Sequence, residues 1–397
     1  MKSHSPTCRK DLHLISSFVV EEMSIISLAS KGIQDTYLLT DDLTHSPFRS
    51  KFSRHTNFAQ TPKYVKDITQ HDTSIKIPIV GDLINAVWFE GTDIATKLFK
   101  GSTIDLYIGG VKVDSHAYEY MTDIWQIYLS PTWTQAQEMN NPVSSTTKGF
   151  VPLHFFFCGG MHGGFLPLVA MQFHEVEIRV NLDDAYVSTL PANERKARCY
   201  CNAIFLDTEE RQHLVSRQLD LIITQVQSLS SDVLSTVTNN VLEIGGNNTI
   251  DLSFLNHPVK SLFFGYKTLS NDEENDRFTF LNADIVINGE PLVEQMSPMY
   301  FHTVQTYYNC PYGIIQFDED NDVPFYTRYF SYHFALNPEQ YKSSGSLNFS
   351  RLDAAKLVLR GVEKGVNRPS NQALTVMAVS WNVLTIKDGV CGLRFSS

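Results

Sequence analysis

The chain repeats itself at about half its length. Displacing the 397 residues by 179 lays Asp105-Leu-Tyr-Ile-Gly-Gly110 over Asp284-Ile-Val-Ile-Asn-Gly289. In the same frame Gln126 falls on Gln305, Tyr128 on Tyr307 and His154 on His333, and Val176-x-Ile178-x-Val180 falls on Ala355-x-Leu357-x-Leu359. A displacement of 175 pairs Ile75-x-Ile77 with Ile250-x-Leu252, and Val87-Trp88-Phe89 with Leu262-Phe263-Phe264. Apolar coincidences come easily in a chain rich in β-formers. Polar and glycine identities in one order at one offset do not. The pattern predicts two consecutive copies of one domain, each of about 170 to 180 residues.

The copies read as β domains. Few windows carry a 3.6-residue period, whereas short runs of strand composition alternate with Gly, Pro, Asn and Asp clusters. The clearest are 75–80, 86–91, 102–110, 175–180, 219–227, 261–266, 283–289 and 355–362. Aromatic residues reach 12%, with 25 Phe and 17 Tyr, which suits pleated, half-buried surfaces. Many short strands with few helices suggest a sandwich or barrel. Asp207-Thr-Glu-Glu-Arg-Gln-His213 has the capping start and acidic first turn of a short helix, so the second copy is expected to open with the strand at 219–227.

Several function classes fall away. The net charge of −11, and an N-terminus whose charges cancel over residues 1–22, provide no basic face for a nucleic acid. The six cysteines, at 8, 158, 199, 201, 310 and 391, are too scattered for a disulfide framework, which suits a reducing compartment. Leu12 to Val20 is broken by His13, Ser16 and Ser17 and lacks a cleavage pattern, so it reads as part of an N-terminal arm. Gly149 to His174 is free of charged residues, but its glycines and prolines make it two apolar runs around a GGMHGG loop rather than a membrane span.

Candidate chemistry is sparse. His154, Cys158 and His162 are spaced by four, but Pro152 and the glycines argue against the helix that would align them on a metal. No His-x-His ligand pair occurs. His174-Glu175, placed in a strand, would point to opposite faces. Gly109-Gly110 and Gly245-Gly246 lack the Lys and spacing of a phosphate loop and read as turn glycines. Asn247 and Asn348 fit the N-glycosylation pattern weakly, and Asn348 falls in an expected strand. The acidic runs Asp272–Asp276 and Asp318–Asp322 read as solvated loops between strands of the second copy. No catalytic residue, metal site or cofactor is expected.

Five segments, in order, resemble the major capsid proteins of the nucleocytoplasmic large DNA viruses. They are GIQDTYLL (32–39) with FRSKFSRHTNFA (48–59), PLVAMQFHEVEIRVN (167–181), FLDTEERQHL (205–214), GSLNFSRLDAAKLVL (345–359) and WNVLTIKDGVCGLRFS (381–396). The resemblance runs from about Met23 to the C-terminus, and departs where the family's Gly-Asn-Pro turn is replaced by Asp41-Asp42-Leu43. It implies an all-β double jelly roll: two consecutive eight-stranded barrels with short helices in the connections and an N-terminal arm. The partition expected is an arm over 1–36, a first jelly roll over 37–213 and a second, with the C-terminal segment, over 214–397.

The implied function is structural: pseudo-hexagonal homotrimeric capsomers tiling an icosahedral virion shell, assembled in the host cytoplasm. The implied partners are further copies of the chain, minor capsid proteins and an internal membrane, with no direct nucleic-acid contact. Arg54, His55, Thr56, Asn57 and Phe58 would form a structural element at the base of the first barrel. A paralogous or minor double-barrel protein with a specialised, vertex-adjacent role shares the fold. A jelly-roll enzyme or sugar-binding module is the third reading.

Overall fold

The computed structural model describes residues 55–92, 98–130, 148–159, 164–192, 195–229, 245–265, 278–310, 317–318, 323–324, 329–364 and 374–395. All the elements below lie within the compact unit Asn57–Ser397.

The first copy runs through β1 (Phe58–Thr69), β2 (Ser74–Lys76), β3 (Leu83–Thr92), β4 (Thr103–Ile108), β5 (Val111–Ala117), β6 (Lys148–Pro152), β7 (Leu166–Pro167), β8 (Val176–Asn181) and β9 (Lys196–Leu206). One sheet has the order β1-β9-β3-β6, with β7 also on β3, and the other has the order β2-β8-β4-β5. The pairs are antiparallel, and the first strand lies beside the last. In β8 the alternation is read directly from the sequence: Val176, Ile178 and Val180 point inward and the residues between them outward.

The second copy comprises β10 (Leu219–Leu229), β11 (Asn247–Asp251), β12 (Pro258–Gly265), β13 (Phe278–Thr279), β14 (Asn282–Ile287), β15 (Glu290–Met296), β16 (Phe317–Asp318), β17 (Val323–Pro324), β18 (Tyr329–His333), β19 (Leu347–Asn348), β20 (Ala355–Arg360), β21 (Glu363–Lys364), β22 (Thr375–Lys387) and β23 (Val390–Leu393). Its sheets have the orders β10-β22-β12-β18 and β11-β20-β14-β15, the same winding as the first copy, and β13-β21 and β16-β17 are short side pairs. The fold is therefore an all-β double jelly roll. The 179-residue offset is kept to the residue: it carries β4 onto β14, β5 onto β15 and β8 onto β20.

The repeated aspartates now have a reason. Asp105 is buried on β4 and accepts from Asn181 Nδ2 at 2.9 Å and Ser115 Oγ at 2.5 Å, with Lys112 Nζ at 3.0 Å. Asp284 takes the same place on β14, held by Arg360 at 2.9 Å and by the Gln295 amide at 2.6 Å. Asn181 and Arg360 are themselves one repeat apart. Each carboxylate ties the two strands flanking it to its own. The repeated glycines close two-residue hairpins: φ is +59° and +80° at Gly109 and Gly110, and +51° and +88° at Asn288 and Gly289.

Three sequence expectations need correction. The strand at 75–80 ends at Lys76, because Pro78 cannot donate to a ladder. The run after the GGMHGG loop is not one strand: Leu166–Pro167 pairs briefly, and Leu168–Ala170 then makes a 3₁₀ turn. Helices are more prominent than expected. Beyond α1 (Asp184–Val187) and α2 (Thr208–Ser216, capped by Asp207 as foreseen), Tyr120–Leu129 is a ten-residue π-wound helix. Its counterpart is the π-wound Tyr300–Val304 running into α3 (Gln305–Asn309). The π winding defeats a 3.6-residue search, although the repeat had flagged Gln126/Gln305 and Tyr128/Tyr307. No described helix is long and apolar enough to cross a membrane.

The connection between the barrels is pinned by Asp82. Its buried carboxylate accepts from the Leu206 amide at 2.8 Å and from Arg211 of α2 at 2.9 Å. Asp82→Ala is expected to cost about 1–3 kcal/mol by leaving that amide without an acceptor, measured as a lower midpoint in denaturant unfolding.

Candidate assembly surfaces

The surface that matters most is inside the chain, where the two barrels meet. Strands β12 and β22 are buried on both faces, which is why LFF and TVMAVSW run apolar without alternation. Leu262, Phe264, Val376 and Ala378 fill the second barrel's own core. Their neighbours Phe263, Met377 and Val379 join Tyr329 and Ile223 in a cluster continuous with the first barrel's core.

The first barrel presents to this face its edge strand β5 and the helix Tyr120–Leu129. Tyr128, 1% exposed, donates its hydroxyl to the Tyr329 carbonyl at 2.8 Å and sets its ring 5.6 Å from Phe263. Gln225 of β10 donates to the Val113 carbonyl, and the Val226 amide donates to Asp114 Oδ1 at 2.9 Å. The same carboxylate holds His116 Nε2 at 2.9 Å. At one end the C-terminal hairpin adds two bonds, from the Phe173 amide to the Gly389 carbonyl at 3.1 Å and from the Cys391 amide to His174 Nδ1 at 3.1 Å. The joint uses one side of the first barrel and a different side of the second.

Among the described residues, each barrel keeps one side that the other does not cover. On the first, Trp88 stacks on Tyr200 at 5.7 Å and Tyr64 meets Tyr200 edge-on at 5.8 Å, across the outer face of β1-β9-β3-β6. On the second, Tyr307 and Tyr308 of α3 are each 74% exposed.

The candidate chemical residues read as structure. His154 is half-buried with its ring 3.6 Å above Trp125, its buried Nε2 has no hydrogen-bond partner, and desolvation pushes its pKa well below the usual value. His333, its repeat partner, lies 2.9 Å from Ser261 Oγ and 3.4 Å from Cys310 Sγ, and burial brings its pKa to about 3. Buried Lys260 donates to the Pro338 carbonyl at 2.8 Å beneath Trp381, and burial lowers it to about 8. The five described cysteines are unpaired, and burial raises Cys158 to about 12 and Cys201 to about 11, which leaves them protonated and unreactive. Among the described residues no three metal-ligating side chains converge, and His162 lies outside them.

His174 and Glu175 precede β8 rather than lying in it. They nevertheless diverge, His174 to Cys391 and Glu175 to Lys76 at 2.6 Å. Asn247 is exposed at the start of β11, whereas Asn348 spends its side chain capping the 3₁₀ turn at the Ser350 amide, 3.1 Å away. Arg54 lies outside the described residues. His55, Thr56 and Asn57 are exposed and lead into Phe58, which pairs with Leu206 beside the inter-barrel connection. Of the acidic runs only Asp318 is described, in β16.

Comparison with known proteins decides what this architecture is for. The family model described as "Major capsid protein N-terminus" matches residues 46–207, and that described as "Large eukaryotic DNA virus major capsid protein" matches residues 210–392. The chain belongs to the major capsid protein family of the large eukaryotic DNA viruses. The capsid-family models divide the chain between β9 and β10, within a few residues of the Asp207 cap. The major capsid protein of Pyramimonas orientalis virus is 29% identical over 94% of this chain and 99% of its own. That of Paramecium bursaria Chlorella virus 1 is 26% identical over 93% and 98%. The fold matches the capsid chain in a quasi-atomic model of the PBCV-1 virus capsid with a TM-score of 0.69, at 22% identity over 89% of this chain and all of that one. It matches the Faustovirus major capsid protein at 0.59 with 11% identity. As a capsid protein it is a structural component of the virion shell that assembles with further copies of itself, and not an enzyme.

Proposed function

We propose that the chain forms a homotrimeric capsomer of pseudo-hexagonal outline that tiles an icosahedral shell. The observation that carries this reading is the head-to-tail joint between two copies of one barrel. A joint that uses different sides of like units leaves its own complement uncovered at each end, and such joints build rings when the rotation closes. Three chains supply six barrels, so a threefold ring presents six lobes. A contact of the obligate class buries on the order of 2,000 Å² or more per interface.

The partition into an arm over 1–36, a first jelly roll over 37–213 and a second over 214–397 fits this use. The end of the barrels bearing Phe58, α2 and the C-terminal hairpin is proposed to face inward, with the Arg54–Phe58 element at its base. There it would meet minor capsid proteins and an internal membrane, with assembly in the host cytoplasm. The acidic runs would then belong to the outward-facing connections.

The test is the mass of the purified protein in solution. A particle of about 135 kDa, three times the 45.0 kDa chain, is expected. A monomer at every concentration would overturn the trimer.

A further inference from the structure

We infer that the seam between neighbouring copies repeats the joint inside the chain, with Tyr307 of one copy seated on Phe150 and Trp88 of the next. The inference rests on the trimeric reading and assigns its surface.

The strand registers establish the equivalence. Trp88 and Phe263 occupy the same place one repeat apart, each flanked by core residues in Val87-Trp88-Phe89 and Leu262-Phe263-Phe264. Glu90 pairs with Phe150 as Gly265 pairs with Tyr329, so Phe150 stands where Tyr329 stands. Trp88 pairs with Tyr200 as Phe263 pairs with Met377. Inside the chain Phe263, Tyr329 and Met377 form the floor on which Tyr128 rests. The equivalent floor on the first barrel is aromatic and uncovered: Phe150 is 39% exposed where Tyr329 is 2%. The equivalent of Tyr128 is Tyr307, 74% exposed against 1%. Exposed aromatic patches of this kind mark protein contacts. Superposing the joint on the seam directs the Tyr307 hydroxyl to the Phe150 carbonyl of the neighbouring copy.

The polar detail agrees. Inside the chain the Val226 amide donates to Asp114. By the same registers Val226 corresponds to Pro62 and Asp114 to Val293. Proline has no N–H and valine no carboxylate, so donor and acceptor are absent from the seam together. A lone loss would have left a polar group without its partner.

The experiment uses the full-length protein. Tyr307→Asp and Phe150→Asp, each alone, are expected to shift the wild-type trimer to a 45.0 kDa monomer with unchanged far-UV circular dichroism. Leu336→Ser, at a position 71% exposed elsewhere, should leave the trimer intact. The double variant Tyr307→Cys with Phe150→Cys should cross-link between chains on oxidation into ladders of up to three chains without reductant, while each single variant stays at one chain. A wild-type trimer that survives both Asp variants and gives no cross-link would overturn the seam and leave the trimer standing. A wild-type monomer would overturn the trimeric reading itself.

Discussion

Below pH 6.5 two histidines of this protein are expected to lower its unfolding free energy by up to about 2.7 kcal/mol per pH unit. They are the repeat-related pair His154 and His333. Desolvation holds both neutral, His154 half-buried and His333 buried, the second with its pKa brought to about 3 by burial and, to a lesser degree, by Lys260. In the unfolded chain each imidazole titrates near 6.5. As the pH falls below that value the unfolded state takes up two protons that the folded state refuses, so acid favours unfolding. For His333 the loss continues to about pH 3, where the folded state accepts the proton too. The Asp284–Arg360 pair acts in a different window. Arg360 holds the Asp284 carboxyl below its usual value of 3.8, so its contribution is present above that pH and is lost only as the pH falls through the lower folded value. Denaturant titrations at pH 7.5, 6 and 5 separate the two. His333→Gln and His154→Gln should each reduce the slope between pH 6 and 5 by about 1.4 kcal/mol per pH unit, at some cost in stability at pH 7.5. A slope that neither substitution changes would show that other groups set the acid limit.

Phe263 and Phe264 are neighbours whose replacement by alanine should cost about the same, about 3–5 kcal/mol, but in different places. Phe264 points into the second barrel's core against Phe280, Phe301 and Phe330 at 6.0, 5.6 and 5.8 Å. Its loss opens a cavity within that barrel. Phe263 points the other way, into the joint, against Tyr128 at 5.6 Å and His333 at 5.8 Å. Its loss should loosen one barrel from the other, so that limited proteolysis releases barrel-sized fragments before either core is attacked. Trp88→Ala removes the equivalent side chain from an uncovered face and should cost the isolated chain far less. Equal fragmentation patterns for Phe263→Ala and Phe264→Ala would contradict the assignment of the two faces.

Much of this was legible in the residues. The 179-residue offset pointed to two barrels and placed β4, β8 and their counterparts, because a strand's period of two leaves little room for slippage. The Asp207 cap marked the link between barrels. The π-wound helix that carries Tyr128, and the π-wound turn that leads into α3 and Tyr307, were not legible as helices. The joint was not legible either. The doubly buried runs of β12 and β22 read only as strong strands, since apolar composition shows that a face is covered but not by what. The polar identities at Tyr128/Tyr307 and His154/His333 were the available signal for both. The meaning of the tyrosine pair depended on Tyr128 being buried and Tyr307 open, which no sequence pattern carries.

The pairing of first strand with last gives the chain a timetable. The opening barrel is complete once Leu206 has left the ribosome, because β9 is the strand that locks β1 in place. The second barrel must wait for β22, which ends at Lys387 and supplies the partner for both β10 and β12. During the intervening synthesis of about 180 residues, the finished barrel displays Tyr128 to solvent without the Tyr329 carbonyl it later rests on. A nascent chain in that state is a natural client for a chaperone. A stop codon only a few dozen residues early would leave every product in it.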